Sequence, residues 1–169
     1  MREKARSRRK GNPMSAIDAR LAALGLTLPT PAAPVANYVP FVRTGSLVVI
    51  SGQICLGPDG KLSPAHTGKV GAEVSPEVAR EAARLCAVNL LAQLKAAVGD
   101  LDLVTRCVRL GGFINVVPTF AAVAQVMNGA SDLMVEVLGE AGRHARSTIG
   151  VAELPLDAAV EVEGMFEVR

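Results

Sequence analysis

The chain has no tryptophan, one tyrosine and four phenylalanines in 169 residues. Aromatic platforms for stacking bases are therefore scarce, which argues against a protein that grips single-stranded nucleic acid. Cysteine is scarce too: Cys55, Cys86 and Cys107 are odd in number, widely spaced and form no Cys-x-x-Cys pair. That pattern argues against a disulfide framework or a thiolate zinc site. The two histidines, His66 and His144, are far apart in sequence and neither makes a close His/Cys pair. No secretory hydrophobic segment follows the basic start, and no apolar run is long enough for a membrane span. A reducing cytoplasm is the expected setting, with no membrane partner.

Aliphatic residues make up for the missing aromatics. Half of the sequence is apolar and 20% is charged, enough for a sizeable core and too little polarity for wholesale disorder. The net charge of +2 hides an asymmetry. Residues 1–10 carry six cations against Glu3, a net +5, which leaves residues 11–169 at −3. The basic run, residues 1–13, is expected to be a disordered tail without function, with Met14 a natural start for the single domain at 14–169. The body is mildly acidic, which opposes phosphate binding, so no nucleic acid partner is expected.

Local signals set the element order. "SAIDARLAALG" predicts a short helix capped by Ser15 and closed by Gly25. Three prolines in "LPTPAAP" make an extended connector. "RTGSLVVISGQI" gives a turn at Thr44-Gly45 and an apolar strand, and "GPDG" at 57–60 suggests a hairpin over residues 46–63. Ser75-Pro76-Glu77 opens the longest helix, which runs to about Val98 and stops at Gly99. Its stripe of Ala79, Ala82, Ala83, Cys86, Leu90, Leu94 and Ala97 should cover a sheet. "TRCVRLGGFINV" is a strand whose Gly-Gly pair suggests a bulge. A second helical region from Pro118-Thr119 to Leu138 is expected to break at Asn128-Gly129. Two strands, His144–Val151 and Ala159–Val168, close the chain around "ELPLD". Two strands, helix, strand, helix and two strands make an α+β layout, one sheet backed by two helices.

The last two strands carry opposite charges. Alternation places Glu161, Glu163, Met165 and Glu167 on one face of the final strand, and His144, Arg146 and Thr148 together on the strand before it. If the two strands are neighbours, Arg146 and Thr148 share a polar face with Glu161 and Glu163, while Ala145, Ser147 and Ile149 point to the core. One reading is a solvated face with cross-strand ion pairs, which stabilise only modestly. The other is a site. Arginine suits bidentate capture of a carboxylate, and a nearby glutamate can handle a proton.

These residues resemble the RidA/YjgF family of reactive-intermediate deaminases. The family's C-terminal signature of Ala-Arg-Ser, Leu-Pro and Glu-hydrophobic-Glu is similar to "ARSTIGVAELPLDAAVEVE", residues 145–163. "NYVPFVRTGSLVVISGQI" resembles the family's opening strand, and "NGASDLMVEVLGEAGRHAR" a longer branch of it. The resemblance covers roughly residues 14–169. It implies a chorismate-mutase-like mixed sheet backed by two helices, a homotrimer whose sheets form an inner barrel, three pockets between subunits, and no metal or organic cofactor. It further implies hydrolysis of enamines or imines of amino acids, such as 2-aminoacrylate, to keto acid and ammonia. Arg146 then corresponds to the arginine that grips the substrate carboxylate, and Glu161 to the glutamate that positions or activates water. Tyr38, Ser51 and Gly52 correspond to pocket-lining residues. Thr148 stands where well-studied members have cysteine, and His144 where short members have a proline-like entry. Glu163 is expected to be mainly structural.

Two other functions compete. A trimeric protein that holds a small carboxylate without turning it over is compatible with the replaced cysteine. Ribonuclease or translation-inhibitor activity, an association common in the family, is disfavoured by the acidic body and by two histidines that form no recognisable acid–base pair.

Overall fold

The computed structural model describes residues 15–169; the basic run at 1–13 lies outside them. The elements follow the expected order: α1 (Ala16–Ala23), β1 (Phe41–Thr44), β2 (Leu47–Ile54), α2 (Pro76–Val98), β3 (Val104–Asn115), α3 (Val123–Leu138), β4 (Ala145–Val151) and β5 (Val160–Val168). The five strands form one sheet in the order β1-β2-β5-β3-β4. Only β3 and β4 run parallel. Both long helices pack on the same face. The core between the layers is aliphatic: Val48 and Ile50 from β2, Leu110 and Ile114 from β3 and Val162 from β5 are at most 1% exposed. Phe166 is the one aromatic among the largest fully buried side chains.

Local chemistry accounts for α2. Ser75 Oγ accepts from the Val78 N–H at 3.2 Å, Pro76 fills the first turn, and Gly99 ends the helix at φ 81°. Ala79, Ala82, Ala83, Cys86, Leu90 and Leu94 are fully buried against the sheet, and Ala97 partly so.

Three local expectations need correction. First, α3 starts at Val123 and runs through Asn128-Gly129 without a break. Gly129 is there because α2 crosses at that point: a Cβ would stand 1.9 Å from the Arg80 carbonyl oxygen. Ion pairs Arg80–Asp132 (2.6 Å) and Arg84–Glu136 (2.8 Å) run beside the crossing. Second, the pair at Gly111-Gly112 lies in regular register, and the bulges of β3 fall nearer its start, around Arg106 and Cys107. Side chains of Glu163 and Met127 occupy the space where Cβ atoms of Gly111 and Gly112 would lie. Third, β2 pairs with β1 across the Gly45 turn, and "GPDG" supports only a single bridge, Leu56 to Leu62. A turn signal marks a reversal; it does not choose the partner strand.

The loop that carries β4 back into β5 is tied down at its tip. Leu156 and Asp157 adopt left-handed φ values of 58° and 56°. Asn115, fully buried at the end of β3, donates to Asp157 Oδ1 at 2.9 Å and accepts from Lys69 Nζ at 2.7 Å. The Gly68 N–H donates to the Asp157 carbonyl at 2.8 Å. Strain of this kind persists only where surroundings over-determine it, and these contacts do so between the two charged strands.

Candidate functional site

The two charged strands are not neighbours: β3 lies between them. That separation reverses one expectation. Arg146 pairs with Leu110 and Thr148 with Gly112, both on the helix-covered face, while Ser147 pairs with Gly111 and Ile149 with Phe113 on the open face. Glu161 lies opposite Phe113 and Glu163 opposite Gly111. Hence Ala145, Ser147 and Ile149 share the open face with the acids, and Arg146 and Thr148 turn toward α3. Alternation correctly grouped the residues of each strand. It could not set the phase between two strands that are joined only through a third. Within one chain the structure therefore brings the predicted residues together as two separate groups.

The first group surrounds Glu161. A bulge interrupts the β2–β5 register between Ile50 and Gln53, so Ser51 and Gly52 fall outside the regular pairing. Gly52 leaves the room Glu161 occupies: a Cβ there would lie 1.8 Å from Oε1. Ser51 Oγ donates to the Val39 carbonyl at 2.7 Å, holding the segment that carries Tyr38 against β2. Tyr38 itself is 49% exposed. Gln53, which sequence reasoning missed, is 9% exposed and donates to the carbonyls of Ser51 (2.9 Å) and Gly52 (3.1 Å). It braces the bulge from the core side. The "SGQ" stretch thus works as a unit of clasp, gap and brace.

The two acids differ in their partners. Glu163 pairs with Arg109 at 3.1 Å. Glu161 takes part in none of the ion pairs among the described residues. Burial, with a smaller contribution from the charge of Glu163, pushes its carboxyl above the ordinary 4.5. A desolvated carboxylate of raised pKa is a stronger base.

The second group surrounds Arg146. Its Nη1 donates to Ser131 Oγ at 2.9 Å and its Nη2 to the Ala124 carbonyl at 3.1 Å, both on α3. A guanidinium has five N–H donors, so three remain for an anion. His144 Nε2 lies 2.9 Å from the same Ser131 hydroxyl, and Nδ1 lies 2.6 Å from the Gly142 carbonyl. Burial holds His144 below its ordinary 6.5 against the raising effect of its hydrogen bond to Gly142, with a smaller lowering from the charge of Arg146. Thr148 shares this face, and its buried hydroxyl has no hydrogen-bond partner among the described residues. Sequence reasoning missed Ser131. It precedes Arg146 by fifteen positions on a different element, and no local pattern links them.

Comparison with known proteins bears on the fold. Residues 18–167 match the family described as "YjgF/chorismate_mutase-like, putative endoribonuclease". This chain belongs to the YjgF family. The Trypanosoma cruzi protein TCP17 is 44% identical over 154 residues, 90% of this chain and 94% of that protein. The crystal structure of Agrobacterium tumefaciens Atu1372, a protein of unknown function, is similar at a TM-score of 0.84 and 47% identity, covering 90% of this chain and 92% of that one. Escherichia coli TdcF, solved with bound serine, is similar at a TM-score of 0.58 and 26% identity over 83% of this chain and 94% of its own. The chorismate-mutase-like α+β fold of the YjgF family is therefore the fold of this chain. No helix among the described residues is long and apolar enough to cross a membrane.

Proposed function

We propose that this protein hydrolyses enamine or imine intermediates derived from amino acids, of the 2-aminoacrylate type, to keto acid and ammonia. The observation that carries this reading is the Glu161 carboxylate: without an ion-pair partner among the described residues, desolvated and set in the gap left by Gly52. The serine bound to TdcF supports a ligand that is a small amino-acid-like carboxylate.

On this reading the working pocket forms between copies of the chain. Arg146 and Glu161 lie on opposite faces with β3 between their strands, so neither meets the other inside one chain. The open sheet face carries exposed apolar side chains, Val42, Val49 and Ile149, beside half-buried acids. Such a face suits burial against further copies, and a homotrimer with three shared pockets satisfies it.

The chemistry then needs no nucleophilic side chain. The imine carbon is already electrophilic. Arg146 binds the substrate carboxylate through charge-assisted hydrogen bonds and fixes its orientation. Glu161 accepts a proton from water as the oxygen bonds to that carbon, giving a carbinolamine. The imine reacts in its protonated form, so the carbinolamine is neutral. Return of the Glu161 proton to its nitrogen makes ammonia the leaving group. As the C–N bond breaks, the hydroxyl oxygen forms the carbonyl and gives its own proton to Glu161, which passes it to solvent, leaving the keto acid. Tyr38, Ser51 and Gly52 line the Glu161 side. Thr148 stands on the Arg146 side, where well-studied relatives place cysteine, and no step above requires a thiol.

The test is ammonia release from freshly generated 2-aminoacrylate. The wild-type protein should release it faster than the uncatalysed background, and Arg146→Ala should not. The replacement of cysteine by Thr148 favours one competitor, a protein that binds a small carboxylate without turnover. Saturable binding of serine or pyruvate with no ammonia release would support that competitor and sink the hydrolase.

A further inference from the structure

The Arg146 side chain is fixed by a directional chain of hydrogen bonds that ends in a backbone carbonyl. The Gly142 carbonyl can only accept, so His144 Nδ1, 2.6 Å away, carries the ring hydrogen. With the ring neutral, Nε2 is an acceptor, and the 2.9 Å contact to Ser131 must be donated by the hydroxyl. The hydroxyl oxygen then accepts from Arg146 Nη1 at 2.9 Å. Donation runs in one direction from Arg146 through Ser131 and His144 to Gly142. The end point packs closely on α3: a Cβ on Gly142 would lie 2.1 Å from the Met134 carbonyl oxygen.

We propose that Ser131 and His144 are positioning residues that set the guanidinium of Arg146 for its anionic ligand through this one-way relay. The inference rests on the reading of Arg146 as the carboxylate clamp. It adds two residues to that clamp and fixes the tautomer of the histidine. Arginine has many rotamers of similar energy, and a guanidinium held before binding loses less freedom when the ligand arrives. The relay needs His144 neutral. A protonated ring would donate from both nitrogens and leave the Ser131 hydroxyl hydrogen without its acceptor.

Two conservative variants separate the parts. Gln places a polar atom where Nε2 stands and can accept from Ser131. Asn places one where Nδ1 stands and reaches only Gly142. With L-serine and pyruvate as calorimetric probes, His144→Asn and Ser131→Ala should each weaken binding by about tenfold. His144→Gln should recover most of that loss. Ser131→Ala added to Arg146→Ala should cost nothing more, because the two act through one group. A second readout needs no ligand. In 15N spectra of histidine-labelled protein, the signal assigned to His144 by its loss in His144→Asn should show hydrogen on Nδ1, and Ser131→Ala should shift it toward the other tautomer. Hydrogen on Nε2 in the wild type overturns the relay. So does wild-type affinity in Ser131→Ala when Arg146→Ala has lost it. If Arg146→Ala binds both probes normally, the clamp reading fails, and the tautomer alone then decides the relay.

Discussion

On the proposed reading, Glu161 is a catalytic side chain that works against the stability of its own fold. Its carboxyl is held above the ordinary 4.5 by burial and by Glu163. A carboxyl whose folded value is raised favours folding below the unfolded value, and that contribution is lost as pH rises through the folded one. Glu161→Gln removes the buried charge with little change of shape. The variant should therefore melt at a higher temperature than wild type at pH 7, and the gap should close as pH falls to 4.5 and below. Thermal unfolding at several pH values checks this, and a lower melting temperature at pH 7 would contradict it. The same variant should lose ammonia release. Gly52→Ala makes the complementary test. Its Cβ would lie 1.8 Å from Glu161 Oε1, so the carboxylate must move while the surrounding fold stays. Turnover should fall by about 10²-fold, a magnitude typical of a lost general base, with circular dichroism unchanged.

At the scale of elements, close approach rather than backbone freedom accounts for the key glycines. Gly129 lies mid-helix, where α2 and α3 cross, with no room for a side chain. Gly129→Ala should destabilise the fold by about 1–3 kcal/mol through overpacking, although alanine is the better helix former. Urea unfolding measures it, and a stabilised variant would contradict the crossing. The sequence could not distinguish these uses. Asn128-Gly129 and Gly111-Gly112 look like a helix break and a bulge, because a lone chain shows propensity and hides which backbone passes nearby. What was legible followed from short-range chemistry: the cap at Ser75, the alanine-leucine stripe of α2, and the alternation of the last two strands. The phase between β4 and β5 was not legible, since β3 comes between them through long-range pairing. Ser131 was hidden for a related reason, as its partners lie on another element.

For the whole molecule, the open sheet face and the divided site point the same way. Val49 sits near the middle of that face at 39% exposure, opposite Met165. If the face is buried between copies, the wild-type protein should sediment at three times the chain mass, and Val49→Lys should shift it toward a single chain. A wild-type protein that sediments as one chain at micromolar concentration would remove the shared pocket.

The most direct measurement mixes two inactive proteins. Arg146→Ala and Glu161→Gln are denatured together in equal amounts, refolded, and assayed for ammonia release from freshly generated 2-aminoacrylate. If each pocket takes its arginine from one copy and its glutamate from the next, random cyclic trimers restore about a quarter of the sites. Activity near that fraction of refolded wild type is the predicted result. A mixture as inactive as its two parents, alongside an active refolded wild type, would contradict a shared deaminase site.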